Sequence, residues 1–89
     1  MPVFMVERQY ADALDVTAAG VADINRVNDE EDVRWLYSFL SADHRKTFCL
    51  YEADSVESIR RAAARAGLPA DAIVEVVGQV QPDGEIRPV

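Results

Sequence analysis

Apolar side chains alternate with a period of two in four segments of this chain. The stretches between the first and second, and between the third and fourth, repeat every three to four residues instead. The first alternating run is Val3 to Gln9, with Val3, Met5 and Glu7 on one side and Phe4, Val6 and Arg8 on the other. The second is Val33 to Ser41, where Val33, Trp35, Tyr37 and Phe39 oppose Arg34, Leu36, Ser38 and Leu40. A polar link, Ala42 to Arg45, turns it into Lys46 to Ala53 as a hairpin, and Ala72 to Val80 reads as the fourth strand. The expected order is β-α-β-β-α-β, the split arrangement of ferredoxin-like domains, with a four-stranded antiparallel sheet and both helices on one face.

The helical stretches carry their own punctuation. Thr17 to Asn28 presents Ala18, Val21 and Ile24 at three-residue steps, with Asp15 or Thr17 available as N-cap. Asp29, Glu30, Glu31 and Asp32 follow. Carboxylates at a helix C-terminus oppose its dipole, so this run is expected to mark the end of the helix. Val56 to Ala66 is the clearer helix: Asp54 or Ser55 caps it, and Glu57 stands three residues after Asp54. Its buried stripe is Val56, Ile59, Ala63 and Ala66. Gly67 suits a left-handed C-terminal position, and Pro69 prevents continuation. The expected division is a ferredoxin-like domain over 1–80 and a turn and tail over 81–89, where Pro82, Asp83 and Gly84 bend the chain.

Composition narrows the functional classes. A chain of 89 residues buries only a small core, and domains of this size draw help from disulfides, a metal or a partner chain. Cys49 is the only cysteine and His44 the only histidine, which excludes an intrachain disulfide, a Cys-rich zinc site and a histidine pair. Nine basic against 16 acidic residues give a net charge of −7, so neither nucleic acid nor an anionic membrane is an expected partner. No 18-residue apolar run is present, and the first eight residues lack a basic n-region and apolar core, so a cytoplasmic location is expected. A second copy of the chain is the remaining staple.

With helices on one face only, the opposite sheet face would expose aromatic and aliphatic side chains, and two copies packing those faces together would cover them. Placing the more uniformly apolar side of each strand against the helices assigns Phe4, Val6, Leu36, Leu40, Phe48, Leu50, Val74 and Val76 inward. Met5, Thr47, Ile73 and Val77 then face the partner. The space between subunits further collects Trp35, Tyr37, Cys49 and Tyr51 as ligand-binding candidates, with Glu7 and Glu75 as carboxylates. Apolar walls with a few polar groups are the makings of a small-molecule pocket. Two carboxylates in one cavity would raise one pKa and serve as general acid and base, should the chain be an enzyme. Cys49 reads first as a small buried hydrophobe, His44 as a solvated turn residue, and Arg60, Arg61 and Arg65 as an exposed helix face.

The residues Met1 to Arg8, Thr47 to Ala53, and Ile59 to Ala63 running into Ala66 to Val76 resemble small bacterial nickel-binding proteins of ferredoxin-like fold. The resemblance covers nearly the whole chain and is most specific over Thr47 to Val76. It implies a cytoplasmic homodimer, a dimeric α+β barrel, with nickel or another divalent metal as the cofactor to consider. Nickel-binding members carry histidines at the end of the first strand, where this chain reads Glu7-Arg8-Gln9-Tyr10. The expected function is thus a small soluble homodimeric binding protein without that ligand set. The alternative is a cofactor-free cyclase, isomerase or oxygenase, or a ligand-binding protein, using the cavity between the two sheets. No glycine-rich phosphate loop, HExxH or CxxC motif adds another chemistry.

Overall fold

The computed structural model describes residues 1–89. Strand β1 (Val3–Gln9), helix α1 (Ala18–Glu30), β2 (Arg34–Leu40), β3 (Lys46–Glu52), α2 (Val56–Ala66) and β4 (Ala72–Val76) follow in the expected order. Their sheet runs β2-β3-β1-β4 with every neighbouring pair antiparallel, an α+β fold with the split βαβ topology. Thr17 caps α1 by accepting from the Gly20 N–H at 3.0 Å, and Ser55 caps α2 by accepting from Ser58 N–H at 3.3 Å. Gly67 closes α2 at φ 68° and ψ 29°, a left-handed conformation that a Cβ would strain. No helix is long and apolar enough to cross a membrane.

Helix α1 runs into the acidic stretch rather than stopping before it. The compensating charge comes from α2: Arg61 pairs with Glu31, and Arg65 with both Glu30 and Glu31. These guanidiniums hold both carboxyls below the usual carboxylate range, chiefly through the Arg65 hydrogen bond at Glu30 and the Arg61 hydrogen bond at Glu31. A fixed cation at this end replaces the stabilisation that the run's own charges would remove.

The core joins Phe4 and Val6 of β1 to Cys49 and Tyr51 of β3, with Val27 of α1 and Ile59 and Ala62 of α2 laid over them. Residues opposite one another in an antiparallel pair share a face. Phe4 lies opposite Tyr51 and Glu75, and Val6 opposite Cys49 and Ile73, so all six belong to the helix side. Thr47, opposite Arg8, joins them. Phe48, Leu50, Val74 and Val76 point the other way. The expected assignment of β3 and β4 is therefore inverted, while that of β1 holds. Both sides of β3 are apolar enough to be buried, so hydropathy does not choose between them; a one-residue slip against β1 exchanges them completely. The small Ala62 of α2 belongs to the same buried cluster as Phe4 and Tyr51.

Strand β2 splits its allegiance. Trp35 lies opposite Tyr51, yet Tyr37 lies opposite Leu50, so Leu36 is the extra residue of a bulge. Trp35 consequently faces the helices, contrary to expectation, whereas Tyr37 and Phe39 face away and Leu40 faces inward as expected. The strand expected over Ala72 to Val80 also divides. Beyond β4, β5 (Gly78–Val80) pairs with β6 (Ile86–Pro88) in a separate two-stranded hairpin. Gly78 is required there, because a Cβ would come within 2.5 Å of the Ile86 side chain.

Candidate functional site

The alternation of β1 sends Phe4, Val6 and Arg8 to one face, and Arg8 is the last of the three before the strand ends. Here the sheet's helix face is not fully covered. A cavity of about 340 Å³ lies between this end of the sheet and α1, within a single chain. Trp35 and Leu40 of β2, Val21 and Ile24 of α1, and Leu14 and Val16 of the intervening loop supply its apolar walls. Arg8, Thr47, Cys49 and Tyr51 rise from the sheet. Small-ligand pockets begin at about 300 Å³, so this space is of ligand size.

The loop from Tyr10 to Thr17 holds the cavity shape because the β2–β3 turn fastens it. Tyr10 N–H donates to the Arg45 carbonyl at 2.8 Å, and Leu14 N–H donates to the His44 carbonyl at 2.6 Å. His44 takes φ 62° in that turn, and its Nδ1 lies 3.3 Å from the Leu14 carbonyl oxygen. The lone histidine is thus an exposed structural clip. Within the cavity wall, Trp35 Nε1–H donates to Ser38 Oγ at 2.9 Å, and the Tyr10 hydroxyl approaches Thr47 Oγ1 at 3.4 Å.

Arg8 is only 3% exposed and is the sole charged residue of the buried set. Its Nη1 donates to the Pro69 carbonyl and its Nη2 to the Tyr51 hydroxyl at 3.2 Å, with the guanidinium carbon 5.7 Å from the Tyr51 ring centre. Nε has no partner, and none of the chain's ion pairs includes Arg8. Burial pushes the Tyr51 hydroxyl above the usual phenol range, so it stays neutral and does not balance the guanidinium. A buried charge without a counter-charge costs on the order of several kcal/mol.

Of the residues expected to gather between subunits, Trp35, Cys49 and Tyr51 do come together, but under α1 rather than on the open face. Tyr37 is on that open face, 51% exposed, with its ring 5.6 Å from that of Phe39. Glu7 is there too, paired with Lys46, while Glu75 sits on the helix side of β4 and is exposed. The two glutamates lie on opposite faces of the sheet, so the shared acid–base cavity expected of them does not form. Arg8 is the residue that sequence reasoning passed over. Its signal was its place in the inward set with Phe4 and Val6.

No group of three His, Cys, Asp or Glu side chains lies close enough together to hold a metal ion. His44 is bound into the turn, Cys49 is buried in the cavity wall, and Glu7 is taken by Lys46. The donors of a single chain do not fit a nickel centre.

A family model described as nickel responsive protein SCO4226-like matches residues 4–76, the span from β1 to the end of β4. The crystal structure of SCO4226 from Streptomyces coelicolor A3(2) superposes with a TM-score of 0.64 at 24% identity, covering 83% of this chain and 94% of that one. At this identity the likeness speaks for the fold. No curated protein matches the chain.

Proposed function

The chain belongs to the nickel-responsive SCO4226-like family, and from that premise we propose that it is a small soluble binding protein whose ligand occupies the cavity beneath α1. The carrying observation is the cavity itself: about 340 Å³, walled by Trp35, Leu40, Val21 and Ile24, with Arg8 and Tyr51 as its polar end. The cavity holds no nickel donor set: the one thiol, Cys49, is in its wall, the one imidazole, His44, is not, and no group of three donors forms around either. Glu7 and Glu75 lie on opposite faces of the sheet and share no space in which to act as an acid–base pair.

In this reading two copies join through the open sheet face, where Tyr37, Phe39, Phe48 and Val74 are exposed together. The cavity then remains within each protomer, and the barrel-like dimer serves stability rather than forming the pocket. A cytoplasmic location goes with it: Cys49 is a free buried thiol, the state a reducing compartment preserves.

Trp35 is the only tryptophan and lines the cavity, so its emission reports occupancy. Titration with a neutral apolar fluorophore is expected to quench Trp35 with saturation at one site per chain. Val21→Phe, which fills the space from α1 and leaves Trp35 the only tryptophan, is expected to weaken that binding at least tenfold while leaving the circular dichroism unchanged. Equal binding by the variant would place the fluorophore elsewhere and remove the cavity as the site.

A further inference from the structure

Arg8 makes the cavity asymmetric in charge. The side chain is buried, its hydrogen-bond partners are a carbonyl and a neutral hydroxyl, and its Nε is unpartnered. The acid among the lining residues, Asp15, is exposed and forms no ion pair with it. The remaining polar groups of the lining are uncharged hydroxyls, those of Tyr10, Thr17, Ser38, Thr47 and Tyr51, and the other walls are aliphatic or aromatic. Such a space offers an apolar molecule a home and, at one end, offers an anion a guanidinium with no competing carboxylate.

Resting on the cavity reading, we propose that the ligand is an organic monocarboxylate with an apolar tail, its carboxylate received by Arg8 and the Tyr51 hydroxyl. Tyr51 accepts from Arg8 and keeps its own proton, which is free to be donated to a carboxylate oxygen. The tail lies against Val21, Ile24, Trp35 and Leu40. Recognition is local, because the chain as a whole carries −7 and its long-range field repels anions. A preference for an acid over its uncharged analogue therefore has to come from the buried guanidinium.

The test compares decanoate with decanol, equal in tail and different in charge, by Trp35 emission at neutral pH below any micelle formation. Decanoate is expected to bind at least tenfold more tightly, and Arg8→Met to abolish the difference while still binding decanol. If neither compound alters Trp35 emission, the cavity reading falls and this inference with it. If decanol binds as tightly as decanoate, the cavity stands and the carboxylate assignment is overturned, as it is if Arg8→Met keeps the preference. Should Arg8→Met fail to fold by circular dichroism, decylammonium decides in the wild-type protein. Exclusion of that cation by at least tenfold relative to decanol, against the chain's negative field, supports Arg8 as the anchor; binding equal to decanol overturns it.

Discussion

In the proposed carboxylate site, Arg8 serves both packing and recognition. Its position is dictated by strand parity, since a residue two beyond Val6 has to point the same way. Only the cavity and the absence of a nearby carboxylate give its charge a task. Its Nη2 donates to the Tyr51 hydroxyl, so Tyr51→Phe withdraws an acceptor from a buried cation without changing volume. The expected cost is about 1–3 kcal/mol, read as a lower urea midpoint with an unchanged slope. A neutral result would show that water already serves the guanidinium. The reversal of Cys49 and Tyr51 is also a residue-scale lesson: Phe48 and Leu50 are the more apolar pair, yet the helix layer takes the pair that lies opposite Phe4 and Val6.

Among the elements, α1 is the one whose ends and burial were hardest to foresee. It carries a narrow apolar stripe and a Gly at position 20, and its N-terminal part covers a cavity while Val27 alone joins the core cluster. What holds its far end is the Arg61 and Arg65 contact with Glu30 and Glu31. Those carboxyls have folded-state pKa values below the ordinary 4.5, so the contact is fully present above that value and is lost as pH falls through the lowered ones. The pairs are exposed and screened, which makes the effect local to the helix rather than global. Hydrogen exchange at the last turn of α1 is expected to quicken relative to α2 when pH drops below 4.5 or salt is raised at neutral pH. Unchanged protection ratios would assign the helix end to Val27 packing alone. By contrast the bounds of α2 were legible, because its cap position, apolar stripe and Gly67-Leu68-Pro69 stop all point to them, while the structure chose Ser55 over Asp54 as the cap and buried Ser58 and Ala62 beside Ile59 and Ala63.

For the whole molecule, the radius of gyration is 13.5 Å, against about 12 Å for a compact chain of this length. The β5–β6 hairpin adds a second sheet, its strands pairing with each other and not with the main one. The open sheet face is the larger unpartnered surface, with Phe39 60% and Val74 57% exposed. In the proposed dimer this face is the contact, so replacing Tyr37 and Phe39 together by Asp is expected to convert a species of twice 9.9 kDa into a single chain by light scattering, with circular dichroism retained. A wild-type mass of one chain at tens of micromolar would overturn the dimer.

The sequence by itself determined the number and order of the main elements, the neighbourhood of each helix cap to within two candidate residues, and the inward placement of Phe4 and Val6 of β1. These are local matters: periodicity, side-chain capping and glycine conformation act within a few residues. Tertiary structure alone decided which side of β3 and β4 meets the helices, where β2 bulges, and that the segment after Val77 leaves the sheet. Strand parity is a relation between strands. When both sides of a strand are apolar, its hydrogen-bond register with a neighbour settles the choice, and that register moved Trp35, Cys49 and Tyr51 from the open face to the helix side of the sheet.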